Sequence, residues 1–188
     1  MRFLTLIATL LALSIPASSA PSLPRKSPEF KILEPSGKQI LLSSFKGKVT
    51  VINFFLTTCQ HCQQFAQVLS KLYTELGPRG FQAVGVATFN ASSAPEVVNF
   101  GKRFGVNFPL GHSATREATS AYLDYSVMTM IMVPQVVVID REGNIRAQTP
   151  AEGHSDLRLE PTLRKLVESL LDEGGATTKK AAAKKATK

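Results

Sequence analysis

Lys48-Val49-Thr50-Val51-Ile52-Asn53-Phe54-Phe55, then Leu56-Thr57-Thr58, then Cys59-Gln60-His61-Cys62, is the stretch on which the fold turns. Its first eight residues are β-branched or aromatic with few polar interruptions, the signature of a strand covered on both faces. From Gln60 to Leu76 the apolar residues Phe65, Val68, Leu69, Leu72 and Leu76 recur at helical spacing, and Gly77-Pro78 ends the pattern. Phe81 to Thr88 is strand-like again. A strand, a helix and a second strand in this order demand a parallel pair joined by a right-handed crossover. The spacing therefore predicts an α/β domain with a central sheet.

The two cysteines fall where that buried strand passes into the helix. Backbone N–H groups of a first helical turn lack intrahelical partners, so a thiolate on Cys59 is stabilised by hydrogen bonds and the helix dipole. Its pKa is expected to fall below the free value of about 8.5. A three-residue step places Cys62 one turn along the same face, within reach of a disulfide. Cys59 then attacks and Cys62 resolves, with His61 adding positive potential as a tuning residue. The redox group is the Cys59–Cys62 disulfide itself, so no cofactor is expected. A purely structural bridge over so short a loop would gain little chain entropy. Two Cys and three His, with no second C-x-x-C, fall short of a structural zinc site. No metal is expected.

Outward from this centre, Phe30–Leu33 and Gln39–Leu42 flank Pro35-Ser36-Gly37 and predict an N-terminal β-hairpin. Ser93-Ala94-Pro95-Glu96 is a capping box opening a helix that runs to Phe104. Ala114–Leu123 is a third helical stretch, and Tyr125–Val133 a methionine-rich connection to Pro134. Gln135–Asp140 reads as a strand paired through Arg141-Glu142-Gly143-Asn144 with Ile145–Gln148. A last helix spans Leu159–Leu171. His112 and His154 belong to no motif and are expected at the surface. Residues 30–173 make one domain, residues 21–29, with three prolines, a linker, and residues 174–188 a Lys/Ala-rich tail expected to be disordered.

Arg2, an apolar run from Phe3 to Ile15 and the small residues Ser18 and Ala20 predict a signal peptide over residues 1–20, cleaved after Ala20. The alternative is retention as a membrane anchor, for which the run is short. Export places the cysteines where disulfides persist. Of the formal charge of +8, five units are lysines among the last ten residues and one is Arg2, leaving a nearly balanced body. That distribution excludes a nucleic-acid-binding face, while the tail could touch an anionic membrane surface.

The run Leu42-Ser43-Ser44-Phe45-Lys46-Gly47-Lys48-Val49, the strand and Cys59-Gln60-His61-Cys62, Phe104-Gly105-Val106-Asn107-Phe108-Pro109, and Val133-Pro134-Gln135 with Asp140-Arg141-Glu142-Gly143 follow one another in a recognisable order. In this the chain resembles the TlpA/ResA-like thioredoxins of bacterial cell envelopes, within the redoxin group, over residues 29–172. The resemblance implies a thioredoxin-like three-layer fold, a central mixed β-sheet flanked by helices with the hairpin added. It also implies a cis Pro134 beside the cysteines, leaving the backbone of Val133 free to pair with a substrate peptide. The implied function is an exported, periplasmic or otherwise extracytoplasmic thiol–disulfide oxidoreductase, monomeric. Such an enzyme reduces disulfides of exported proteins to thiols, as in cytochrome c maturation, and is recharged by a membrane thiol–disulfide electron carrier.

Three departures stand out. Thr58 replaces the usual Trp before the first Cys, Asn53 stands where thioredoxins keep a buried Asp, and Asn90 where some members carry a Glu. Loss of carboxylates favours thiolate formation, so a disulfide-forming oxidase is the alternative. A copper-handling, Sco-like protein is another, since thiolates suit Cu(I), although that group spaces its cysteines by three residues. A peroxiredoxin nucleophile would need Pro and Thr where Ile52 and Leu56 stand.

Overall fold

The computed structural model describes residues 21–88 and 93–186, with side chains described as far as Glu173. The proposed signal segment and Asn90 lie outside the described residues.

Eight strands form one sheet in the order β1-β8-β7-β4-β5-β6-β2-β3. Its centre is β4 (Val49–Phe55), every residue of which is buried. On one side β4 pairs in parallel with β5 (Phe81–Ala87), in register from Val49–Phe81 to Phe55–Ala87. On the other it pairs antiparallel with β7 (Gln135–Ile139). The helix between β4 and β5 is α1 (Gln60–Leu76), with the bounds that its apolar spacing and Gly77-Pro78 predict. The sheet is thus mixed, and the fold is the expected thioredoxin-like one.

Alternation along the central strands sorts the core into two layers. Val49, Val51, Ala83, Val136 and Val138 face α1 and α4 (Glu160–Ala186), meeting Phe65, Leu69, Leu72, Leu163 and Val167. Ile52, Phe54, Val84, Val86, Val137 and Ile139 face the opposite side, against Phe30, Tyr122, Leu123 and Ile131. Tyr122 belongs to α3 (Arg116–Tyr122), which begins at its Thr115 cap. Toward the cysteine end, Phe55 stacks on Phe100 of α2 (Ala94–Arg103), with ring centroids 4.5 Å apart. The capping box is formed: the Ser93 N–H donates to Glu96 Oε2 at 2.6 Å. The hairpin is β2 (Lys31–Leu33) with β3 (Gln39–Leu41), antiparallel, and β8 (Asn144–Gln148) pairs with β7 across the expected turn. Among the described residues no helix is long and apolar enough to cross a membrane.

The structure corrects the sequence reading in four places. Within the stretch read as a linker, Arg25–Lys26 form β1, paired antiparallel with Ile145 and Asn144 of β8. The three prolines suggested a spacer, but an edge strand needs few backbone donors and tolerates them. Leu110–His112 form an unforeseen β6, parallel to β5 and antiparallel to β2. Three residues with glycine in the middle carry no readable period. His112, expected at the surface, is consequently half-buried, with Nδ1 sealed from solvent. Finally, α4 does not stop at Leu171: its backbone is helical to Ala186, so the stretch read as a disordered tail is helix over most of its length. Alanine and lysine have high helix propensity, a term that counting buried apolar surface leaves out.

Candidate active site

Cys59 occupies the N-cap of α1, with extended backbone at φ −79° and ψ 116°. Its carbonyl accepts the first helical bond, from the Gln63 N–H at 3.1 Å. Its sulfur takes the place that a Ser or Asp oxygen usually holds: Sγ accepts from the Cys62 N–H at 3.2 Å. An orphan donor of the first turn is therefore aimed at the Cys59 sulfur, where negative charge on a thiolate would reside. The preceding turn is held by the Cys59 N–H to the Leu56 carbonyl at 3.1 Å and by Gln63 Nε2 to the Thr57 carbonyl at 3.0 Å. Thr58, in the position where tryptophan is usual, is exposed.

The two sulfurs differ sharply in environment. Cys59 is half-buried, whereas Cys62 is fully buried among Phe55, Ala66, Val97 and Phe100. Burial, then a hydrogen bond to the Cys59 side chain, push the Cys62 thiol well above the ordinary thiol range; the Leu56 backbone and Arg158 pull weakly the other way. Both are free thiols. The arrangement is an accessible sulfur poised at a helix start, with a second, protonated sulfur behind it.

The loop before β7 completes the site. The Val133–Pro134 peptide is cis, and the Val133 carbonyl lies 3.8 Å from Cys59 Sγ, within reach of a weak S–H donor. This loop is pinned from both sides. The Met132 N–H donates to the Ala151 carbonyl at 2.7 Å, and Gln135 Nε2 donates to the Met132 and Pro150 carbonyls at 2.7 and 2.9 Å. Gln135 was read only as the start of a strand. A polar side chain following the proline, on a strand otherwise apolar, was the available signal, because a buried amide must find partners. Ahead of it, Met128, Met130 and Met132 are exposed, at 88%, 78% and 50%.

The structure thus brings Cys59, Cys62, Val133 and Pro134 together. His61 is exposed and lines a neighbouring groove with Phe65, His154 and Arg158. Arg158 has no counterpart in the sequence reading; it reaches the site through the short 3-10 helix Asp156–Arg158, which precedes α4. Asn53 is buried on the α1 side of β4, between Gly85 and Val136, with Oδ1 unpartnered. Among the described residues no three His, Cys, Asp or Glu side chains group as a metal site.

A model of the AhpC/TSA family matches residues 24–148. Over 142 residues the chain is 26% identical to the thiol-disulfide oxidoreductase ResA of Bacillus thuringiensis subsp. konkukian, covering 76% of this chain and 77% of that one. It is 32% identical to ResA of Bacillus subtilis over 119 residues, 63% of this chain and 62% of the relative. Among solved structures, a thioredoxin-family thiol:disulfide interchange protein from Chlorobium tepidum superposes with a TM-score of 0.65 at 28% identity. That alignment covers 81% of this chain and 99% of that one.

Proposed function

The chain belongs to the AhpC/TSA family and, like its ResA relatives, is a thiol–disulfide oxidoreductase; from that premise we propose that it works as a reductase of exported protein disulfides, with Cys59 and Cys62 as its redox pair. Cys59 Sγ bonds to one sulfur of a substrate disulfide while the substrate S–S bond breaks and the other sulfur leaves as a thiolate, taking up a proton. Cys62 then gives up its proton, bonds to Cys59 Sγ and expels the first substrate sulfur. The substrate gains two electrons and the enzyme pair loses them. The Val133 carbonyl beside Pro134 offers an acceptor for strand-like pairing with the substrate backbone, and His61 adds positive potential at the rim.

One observation favours the reducing direction: the Cys62 thiol is sealed in an apolar pocket that pushes its pKa up. A sulfur that is a poor thiolate is a poor leaving group, so the oxidised pair resists being opened by a substrate thiol. The reduced enzyme is thereby the better donor. The N-terminal signal-like segment supports an extracytoplasmic location, where a membrane thiol carrier would restore the dithiol and the lysine-rich end could touch anionic lipid. A role in cytochrome c maturation fits this placement.

The test is insulin-disulfide reduction by wild type, Cys59→Ser and Cys62→Ser, together with equilibration against glutathione. Both variants should lose turnover, and only Cys62→Ser should accumulate trapped mixed disulfides with its partners. A potential below about −220 mV is expected; one well above it would sink the reducing assignment in favour of an oxidase.

A further inference from the structure

Beside the cysteines, between α1 and the segment leading into α4, lies an open groove of about 680 Å3. Its floor is apolar, formed by Phe65 with the 55%-exposed Leu159 at its edge. His61, immediately before Cys62, stands on one wall, and His154 and Arg158 on the other. This volume suits a short extended peptide segment or a small molecule.

Arg158 is the unusual member. It is half-buried and has no hydrogen-bond, ion-pair or ring partner among the described residues. By contrast Arg79 holds Asp172, Arg146 holds Asp140 and Glu173, and Arg164 holds Glu75 and Glu160. Asp156 lines the same groove but is exposed and forms no ion pair with Arg158. A guanidinium drawn partly out of water without a counter-charge is unfavourable unless something supplies one. Its planar fork matches a carboxylate in two parallel hydrogen bonds. The two imidazoles can each donate one more. Arg158 shares this groove with His61, which directly precedes Cys62 in the chain, and that places it on the cysteine side of the molecule.

We propose that this groove selects substrates by charge: Arg158, flanked by His61 and His154, binds a carboxylate carried by a polypeptide substrate near its reacting cysteine, while Phe65 and Leu159 take up the adjoining apolar side chain. The proposal rests on the exchange activity assigned above and names the substrate class for that site. Arg158 is a specificity residue here and takes no part in bond making.

Two synthetic peptides test it. Each carries one disulfide, and they differ only in having Glu or Gln beside the reacting cysteine. Wild type should exchange with the acidic peptide at a kcat/KM about tenfold higher, the equivalent of one charge-assisted hydrogen bond, with the difference in KM. In Arg158→Gln that ratio should collapse toward one, and in Arg158→Lys it should be partly retained. Lys38→Gln, on the distant hairpin turn, should leave it intact. Equal rates for both peptides in wild type, or a preference that survives in Arg158→Gln, would overturn the proposal. If glutathione disulfide outcompetes the acidic peptide in wild type and loses this advantage in Arg158→Gln, the carboxylate belongs to a small thiol and the polypeptide assignment falls. Failure of wild type to exchange with either peptide would instead remove the underlying activity, a result distinct from loss of selectivity.

Discussion

Burial of the Cys62 thiol sets an alkaline limit on the stability of the reduced protein. The folded state holds this proton far more tightly than the unfolded chain, where a thiol titrates near about 8.5. A raised folded-state pKa contributes stability that is complete below the unfolded value and is lost as pH climbs above it. The slope approaches about 1.4 kcal/mol per pH unit for one proton. Urea midpoints of the reduced wild type should therefore fall between pH 8.5 and 10 more steeply than those of Cys62→Ser, and parallel curves would contradict the assignment. Tyr122, whose hydroxyl burial also pushes up, adds its own loss only at still higher pH. At this scale much of the candidate site was legible. Cysteine spacing and a proline are covalent facts of the chain, and Cys59, Cys62 and Pro134 do meet. The unequal burial of the two sulfurs was not legible, because it depends on Phe55 of β4 and on Val97 and Phe100 of α2 closing over Cys62.

Elements with strong periodicity or explicit punctuation announced themselves: α1 between Cys59 and Gly77, and the Ser93–Glu96 capping box of α2. In β6 the determinant is instead the space allowed to one residue. A Cβ on Gly111 would sit 2.6 Å from both Ile32 Cγ2 and the Leu33 carbonyl oxygen. One of these is backbone and cannot rotate away, so Gly111→Ala must push β2 off the sheet. The expected cost is about 1–3 kcal/mol, read as a lower urea midpoint, with faster amide exchange confined to the β2–β3 hairpin. Unchanged exchange there would mean that β6 and β2 are not held as described. Nothing in Leu110-Gly111-His112 alone reveals this, since the clash partner lies in the hairpin near the start of the domain. The pinned loop at Met132–Pro134 is similar: its anchors at Ala151 and Pro150 become neighbours only once β7 and β8 pair.

Across the whole molecule, the segment before the domain proper acts as a clasp. Arg25 Nη2 donates to the Tyr122 carbonyl and to Gln148 Oε1, both at 3.0 Å. The Ser27 N–H donates to the Gly143 carbonyl at 2.9 Å, and the Ser27 hydroxyl meets that of Tyr122 at 2.9 Å. The clasp joins α3 on one face to the β7–β8 hairpin at the sheet edge. At about 0.5–1.5 kcal/mol net for each of these four bonds, a chain beginning at Pro28 should be less stable by roughly 2–6 kcal/mol. Chemical denaturation measures this, and an unaltered midpoint would reduce the segment to the spacer its prolines suggest. By itself, the sequence determined the parallel β4-α1-β5 unit, the β7–β8 hairpin and the placing of two sulfurs at a helix start. These follow from apolar periodicity, turn residues and spacing, all local properties of the chain. Only the tertiary structure decided which sulfur is sealed, that Arg25–Lys26 and Leu110–His112 join the sheet, and that Arg158 shares a groove with His61 without an ion-pair partner among the described residues. Each of these depends on contacts between segments far apart in the chain, and such contacts leave no periodic trace in the residues that make them.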